Sequence, residues 1–364
     1  SPPMSSTHEI VLPAHRVRNF DPIEIFNDRV KDRTVVYLDH NIWIDLQDAV
    51  TPDARSCRDV CLRAVDDGLA VFPVAFASMS EMFDIPADDV RVRHAELMDA
   101  LSLGVALRNS QYVYAMEGEA AYRYVFHSER PQSRRNEVFT AVQDYLADSY
   151  TSFPEGWRRA DVERFLAHLR DPGTATVKWL VEHCNVDEIR AGHARTATYA
   201  ERMEAQRQEY LAKGPQRYDL EAVVRNARRS LFAECVMPAI RRCSRAEMTP
   251  AEFDRLVHAY RSQHGDGNDE RLRKVFREAA PVLEVFAHVV AAQSADPRRR
   301  SRPQDFWDIE HAGYAPVYTD AFVTADGGLR ARLPVGQRRP PAAQAVVLDS
   351  VSALRDWILS RKRE

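Results

Sequence analysis

The stretch Thr34-Val-Val-Tyr-Leu-Asp39 is an uninterrupted apolar run closed by a carboxylate. Such runs fill parallel strands buried on both faces, whereas a strand with one wet face alternates apolar and polar residues. Asp39 then falls at the carboxyl edge of a sheet, where open α/β folds place their ligands. A second apolar run, Leu69 to Phe76, follows residues 54–67, whose apolar positions recur at helical spacing. Strand, crossover helix and strand make a βαβ unit, so the chain is neither all-helical nor purely antiparallel. Beyond the second run, Ser78 and Ser80 are placed to cap a helix carrying Glu81 in its first turn.

The same arrangement returns near the other end of the chain. Asp308 to Asp326 reads as a helix bearing one carboxylate, a turn, and a short buried strand ending in Thr324-Ala-Asp326. His311 lies one helical turn after Asp308 on the same face, in reach of a phosphate or of water at a metal. Asp305, one turn before Asp308, suits a helix N-terminus. Asp320 precedes the strand and so belongs to the opposite edge of the sheet. A last strand, Ala345 to Leu348, leads to a helix over 350–361 with Val351, Leu354, Trp357 and Ile358 facing the core.

Residues 89–295 read as amphipathic helices without strand runs, among them Val90 to Leu107, Glu137 to Tyr150, Thr174 to Cys184, Glu188 to Lys213, Leu220 to Arg242 and Glu270 to Gln293. Further helices are expected from Ala160 to Leu169 and from Pro250 to Gln263. The expected organisation is an N-terminal arm (1–32), the first half of an α/β core (33–88), a large all-helical insertion (89–295) and the second half of the core (296–364). A length of 364 residues fits about two domains.

The net charge of -4 gives the whole molecule no electrostatic bias toward nucleic acid, so any basic surface has to be local. Arg298-Arg299-Arg300-Ser301-Arg302, leading into the Asp308 helix, is the segment that meets this need. Five cysteines are too few and too irregular for a disulfide framework, and Cys57 with Cys61 has no second pair at zinc spacing, so buried free thiols are expected. The most apolar run, Pro281 to Ala295, is short of the roughly 20 residues that span a bilayer and holds Glu284 and His288. Cytoplasmic localisation, with no membrane partner, is the expectation.

Taken in order, Asp39 with Asn41, Glu81 preceded by Ser78 and Ser80, Asp308, and Thr324 with Asp326 resemble the signature of the PIN-domain nucleases (PilT N-terminus family). The resemblance covers residues 33–88 and 296–364, and the long insertion departs from a minimal member. It implies a PIN-like parallel-sheet core of three layers and a catalytic metal site formed by Asp39, Glu81, Asp308 and Asp326. In that site Asp39 is central, and Asn41, Ser78, Ser80, Thr324 and His311 support it. It further implies Mg²⁺ or Mn²⁺ as cofactor and phosphodiester hydrolysis leaving a 5′-phosphate.

The chemistry agrees with that implication. Two hard cations about 4 Å apart can activate water and neutralise the phosphoryl charge, and they need oxygen ligands. Without a cation, four converging carboxylates would repel one another. The expected activity is that of an endoribonuclease, with nucleic acid, RNA above DNA, as partner through Arg298, Arg299, Arg300 and Arg302. A regulatory protein could dock on the insertion. Two alternatives stand beside it: a DNA-directed nuclease of the same type, and a non-catalytic nucleic-acid or protein-binding module on a PIN-like scaffold. A phosphatase of the haloacid dehalogenase type wants a second Asp where Asn41 stands.

Overall fold

The computed structural model describes residues 22–142, 177–183, 194–212, 220–237, 249, 269–296 and 300–361. The first elements are α1 (Pro22–Arg29), β1 (Thr34–Leu38), α2 (His40–Asp48), α3 (Pro52–Asp66), β2 (Ala70–Val71), α4 (Phe76–Phe83), α5 (Asp88–Ser102) and β3 (Val105–Leu107). Next come α6 (Ser110–Phe126), α7 (Arg135–Val138), β4 (Phe139–Ala141), α8 (Val177–His183), α9 (Ala194–Ala212) and α10 (Leu220–Leu231). The described chain ends with α11 (Asp269–Ala279), α12 (Pro281–Ala295), α13 (Gln304–Tyr318), β5 (Ala321–Val323), α14 (Gly327–Arg332), β6 (Val346–Leu348) and α15 (Val351–Arg361). The fold is mixed α/β, with β1 paired in parallel to β2 and β5 paired in parallel to β6. No helix among the described residues is long and apolar enough to cross a membrane.

The chain divides into two compact units, one of residues 1–108, 134–189 and 351–364 and the other of residues 109–133 and 190–350. In the first, β1 is buried along its apolar run and pairs in parallel with β2, Thr34 opposite Ala70. The crossover is the expected one. Thr51 caps α3 by accepting from the Ala54 amide at 3.1 Å, Pro52 starts the helix, and Cys57, Val60, Cys61, Ala64 and Val65 form its buried face. Gly68, at φ +73°, makes the turn into β2 that a side chain would oppose. Cys57 and Cys61 are buried free thiols with their sulfurs 3.9 Å apart. Arg355 of α15 ties to Asp53 at the start of α3 at 2.8 Å.

Two findings correct the expected all-helical insertion. The helix read as Val90 to Leu107 stops at Ser102, and Leu103 and Gly104 take φ +54° and +71°. That left-handed pair swings the chain into β3, whose backbone exchanges hydrogen bonds with Val74 (Val74 N to Val105 O 3.1 Å, Leu107 N to Val74 O 2.8 Å). Likewise Phe139 to Ala141 forms β4, antiparallel to β3, where a helix over 137–150 is predicted. Each strand is only three residues, one at the end and the other near the start of a stretch of helical pattern, so period alone could not separate them. The N-terminal arm contains a helix, α1. The expected helices over 160–169 and 250–263 lie outside the described residues.

The second unit is organised around α12. Val282, Leu283, Val285, Ala287, Val289 and Ala291 are all fully buried, as in a helix surrounded by others. Pro281 begins it after a break at Ala280, which divides the single helix read from Glu270 to Gln293. Glu117 of α6 caps it from 165 residues away, accepting from the Val282 and Leu283 amides at 2.9 and 3.0 Å and from the Tyr318 hydroxyl at 3.0 Å. Glu284 is buried but doubly bonded by Arg228 at 2.7 and 2.6 Å, with His288 at 3.2 Å. That pairing is what lets a carboxylate sit in an apolar helix.

Candidate metal centre

Asp39 follows β1 directly and caps α2, accepting from the His40 amide at 2.7 Å. Ile42, Trp43 and Leu46 bury the inner face of α2, and the cap holds Asp39 at 4% exposure beneath it. Asn41, in the first turn, is exposed. Glu81 sits in the second turn of α4, not the first. The helix starts at Phe76 behind Ala75, which makes no side-chain cap bond. Burial of Ala77, Met79, Met82 and Phe83 draws the helix start ahead of the serines, so neither Ser78 nor Ser80 caps it. Both are buried instead, and the Ser78 hydroxyl has no hydrogen-bond partner among the described residues. A buried polar atom left so, one turn before Glu81, is what a water or ligand position provides for.

In the second unit, α13 carries Asp305, Asp308 and His311. Asp305 accepts from the Arg302 amide at 2.7 Å and serves the helix start. Asp308 Oδ2 accepts from Arg332 Nη2 at 3.0 Å. Thr324 is fully buried and its Oγ1 accepts from the Asp326 amide at 3.1 Å, so it fixes the backbone of Asp326. The Asp326 carboxylate caps α14, accepting from the Gly328 and Leu329 amides at 2.6 and 3.0 Å. Glu310, next to His311, is occupied by the Tyr314 hydroxyl at 2.8 Å, and burial pushes its carboxyl above the ordinary range.

Within the first unit, a carboxylate oxygen of Asp39 and one of Glu81 lie within 4.8 Å of each other, so the two could share a metal ion. Asp39 and His311 are buried and Glu81 is partly buried. Two carboxylate oxygens are donors that hard divalent cations accept. His311, read from sequence as a supporting residue, is buried on α13 of the second unit, the helix that also carries Asp308. Arg300 and Arg302 are exposed, and Arg298 and Arg299 lie outside the described residues. Sequence reading missed Arg332, because a pairing across 24 residues has no local pattern.

Comparison of the chain with protein-family models, with curated proteins and with solved structures finds no match.

Proposed function

We propose that this chain is a metal-dependent nuclease with a PIN-like core, hydrolysing phosphodiester bonds in RNA. The observation that carries the reading is the approach of the Asp39 and Glu81 carboxylates, after β1 and on α4, to within 4.8 Å. Asp39 and Asp326 each follow a strand paired in parallel with its neighbour, at the end where α/β folds place ligands, and this supports the resemblance seen in the sequence. Asp39 and Glu81 would hold the cation by oxygen, and the resemblance adds Asp308 and Asp326 as further carboxylate ligands. When bound, a divalent cation supplies Lewis acidity toward a phosphoryl oxygen and toward the attacking water. Carboxylate oxygens suit either Mg²⁺ or Mn²⁺.

The partnering of Asp308 by Arg332 favours a second reading, a non-catalytic binding module, because a neutralised carboxylate no longer asks for a cation. Incubating the protein with mixed cellular RNA and Mn²⁺, and sequencing the new 5′ ends, separates the two. The nuclease reading expects new 5′-phosphate ends that EDTA abolishes. Cleavage that survives both chelation and Asp39→Asn sinks it, and Mn²⁺ binding without cleavage hands the case to the binding module.

A further inference from the structure

Asp326 caps helix α14 and Arg332 is its last residue, so two side chains committed to carboxylate chemistry in different ways stand six positions apart. At the start, Asp326 is held by the Gly328 and Leu329 amides. At the end, the Arg332 guanidinium uses all three nitrogens on three different acceptors. Nε donates to the Gly328 carbonyl at 3.0 Å, Nη1 to Gln293 Oε1 at 2.9 Å, and Nη2 to Asp308 Oδ2 at 3.0 Å. The side chain is 7% exposed, so this arrangement is packed in place. A planar fork fixed at two points presents its third with a set direction, which a lysine ammonium on a flexible stem cannot do. A phosphate-seeking arginine would turn its fork toward solvent, whereas each nitrogen of Arg332 donates to an acceptor within the protein.

We infer that Arg332 is a positioning residue, orienting the Asp308 carboxylate for a divalent cation and, through α14, coupling Asp308 to Asp326. The inference rests on the nuclease reading above. Partners that orient a ligating carboxylate change metal affinity about 10- to 100-fold when removed, without touching substrate. The direction of the effect is the discriminating point. A guanidinium that only competed with the cation for Asp308 would, on removal, leave binding stronger.

The test compares the parent with Arg332→Lys and Gln293→Ala. Mn²⁺ affinity is measured by calorimetry, the Mn²⁺-induced shift in melting temperature by thermal denaturation, and RNA cleavage as separate kcat and KM. Arg332→Lys should lower Mn²⁺ affinity about tenfold, shrink the thermal shift and lower kcat with KM little changed. Gln293→Ala leaves both charges in place and loosens only the fork. It should move the same readouts in the same direction by a smaller factor, and it stands in if Arg332→Lys does not fold. A parent that binds Mn²⁺ and cleaves, with variants that match it, overturns the inference alone, as does tighter Mn²⁺ binding in Arg332→Lys. A parent that neither binds Mn²⁺ nor cleaves overturns the nuclease reading and the inference with it.

Discussion

Asp39 and Asp308 are carboxylates of the same expected set, yet the first is anchored by a backbone amide at its own helix cap and the second by a buried side-chain cation. The difference decides what each tolerates. An N-cap needs an acceptor and no charge, and asparagine serves there as well as aspartate. An ion pair needs the charge, and a buried guanidinium that loses it is left poorly compensated. The same substitution therefore separates function from stability at one position and mixes them at the other.

The largest effect is expected from Asp39→Asn. Loss of a central ligand should lower cleavage on the order of 1000-fold, equivalent to about 4 kcal/mol of barrier. The melting temperature should stay near that of the parent, because the cap to the His40 amide survives. A large drop in melting temperature would show that the charge of Asp39, and not its acceptor oxygen, holds α2 in place.

Asp308→Asn should be equally inactive but also less stable, by about 2–3 kcal/mol given that the pair is buried to 7% and 16% exposure. Mutual repulsion among the carboxylates argues from sequence that this change is harmless to stability, and Arg332 is the reason it is not. A double-mutant cycle with Arg332→Met checks the account. The double variant should be more stable than Asp308→Asn alone, and strict additivity would mean that the pair contributes nothing.

The two units also differ in the titratable groups they bury, and pH should pull them apart. In the first unit, His94 is fully buried with Nδ1 donating to Gln47 Oε1 at 2.8 Å and its ring against His40 and Trp43. Burial, with His40 adding to it, pushes its pKa down to about 3. In the second, burial pushes Glu117 up to about 8, against the pull of its three donors. The signs are opposite. Below the unfolded value of 6.5 only the unfolded chain protonates His94, so stability falls by about 2 kcal/mol from pH 7 to pH 5. Above the unfolded value of 4.5 only the unfolded chain releases the Glu117 proton, so stability falls by up to about 3 kcal/mol from pH 5.5 to pH 8. Denaturation across pH with His94→Asn and Glu117→Gln should flatten the acid limb in the first variant and the basic limb in the second. A limb unchanged by its variant would assign it to other groups.

The parts of this molecule legible in the sequence are those written in contiguous residues. The run into Asp39, the Thr51-Pro52 start of the crossover helix and the parallel strand before Thr324 each carry a local cause, and each lies where that cause puts it. What stayed hidden was long-range or short. Glu117 finds the start of α12, and Arg332 finds Asp308, only once the helices have packed. β3 and β4 are three residues each, too short for any period. The serines before Glu81 misled because capping depends on where the helix starts, and burial of Met79 and Met82 set that start at Phe76.

The smallest effect, and the one that would extend the comparison from carboxylates to cations, concerns the arginines ahead of α13. Arg332 is spent inside the protein, whereas Arg300 and Arg302 are exposed and adjoin the helix that carries Asp308. If the basic segment from Arg298 to Arg302 holds the nucleic-acid backbone, replacing Arg298, Arg299 and Arg300 with Ala should weaken binding to short RNAs of any sequence alike. The slope of log affinity against log salt should also fall, by about 0.7 for each single-strand phosphate no longer neutralised. Mn²⁺ affinity should not change. Asp39→Asn is the background in which to measure this, because it stops cleavage while keeping its cap, which Asp308→Asn cannot do without exposing Arg332 to the loss of its partner. An unchanged slope in the triple variant would show that these arginines meet no phosphate, and RNA would then have to be held by some other basic surface of the chain.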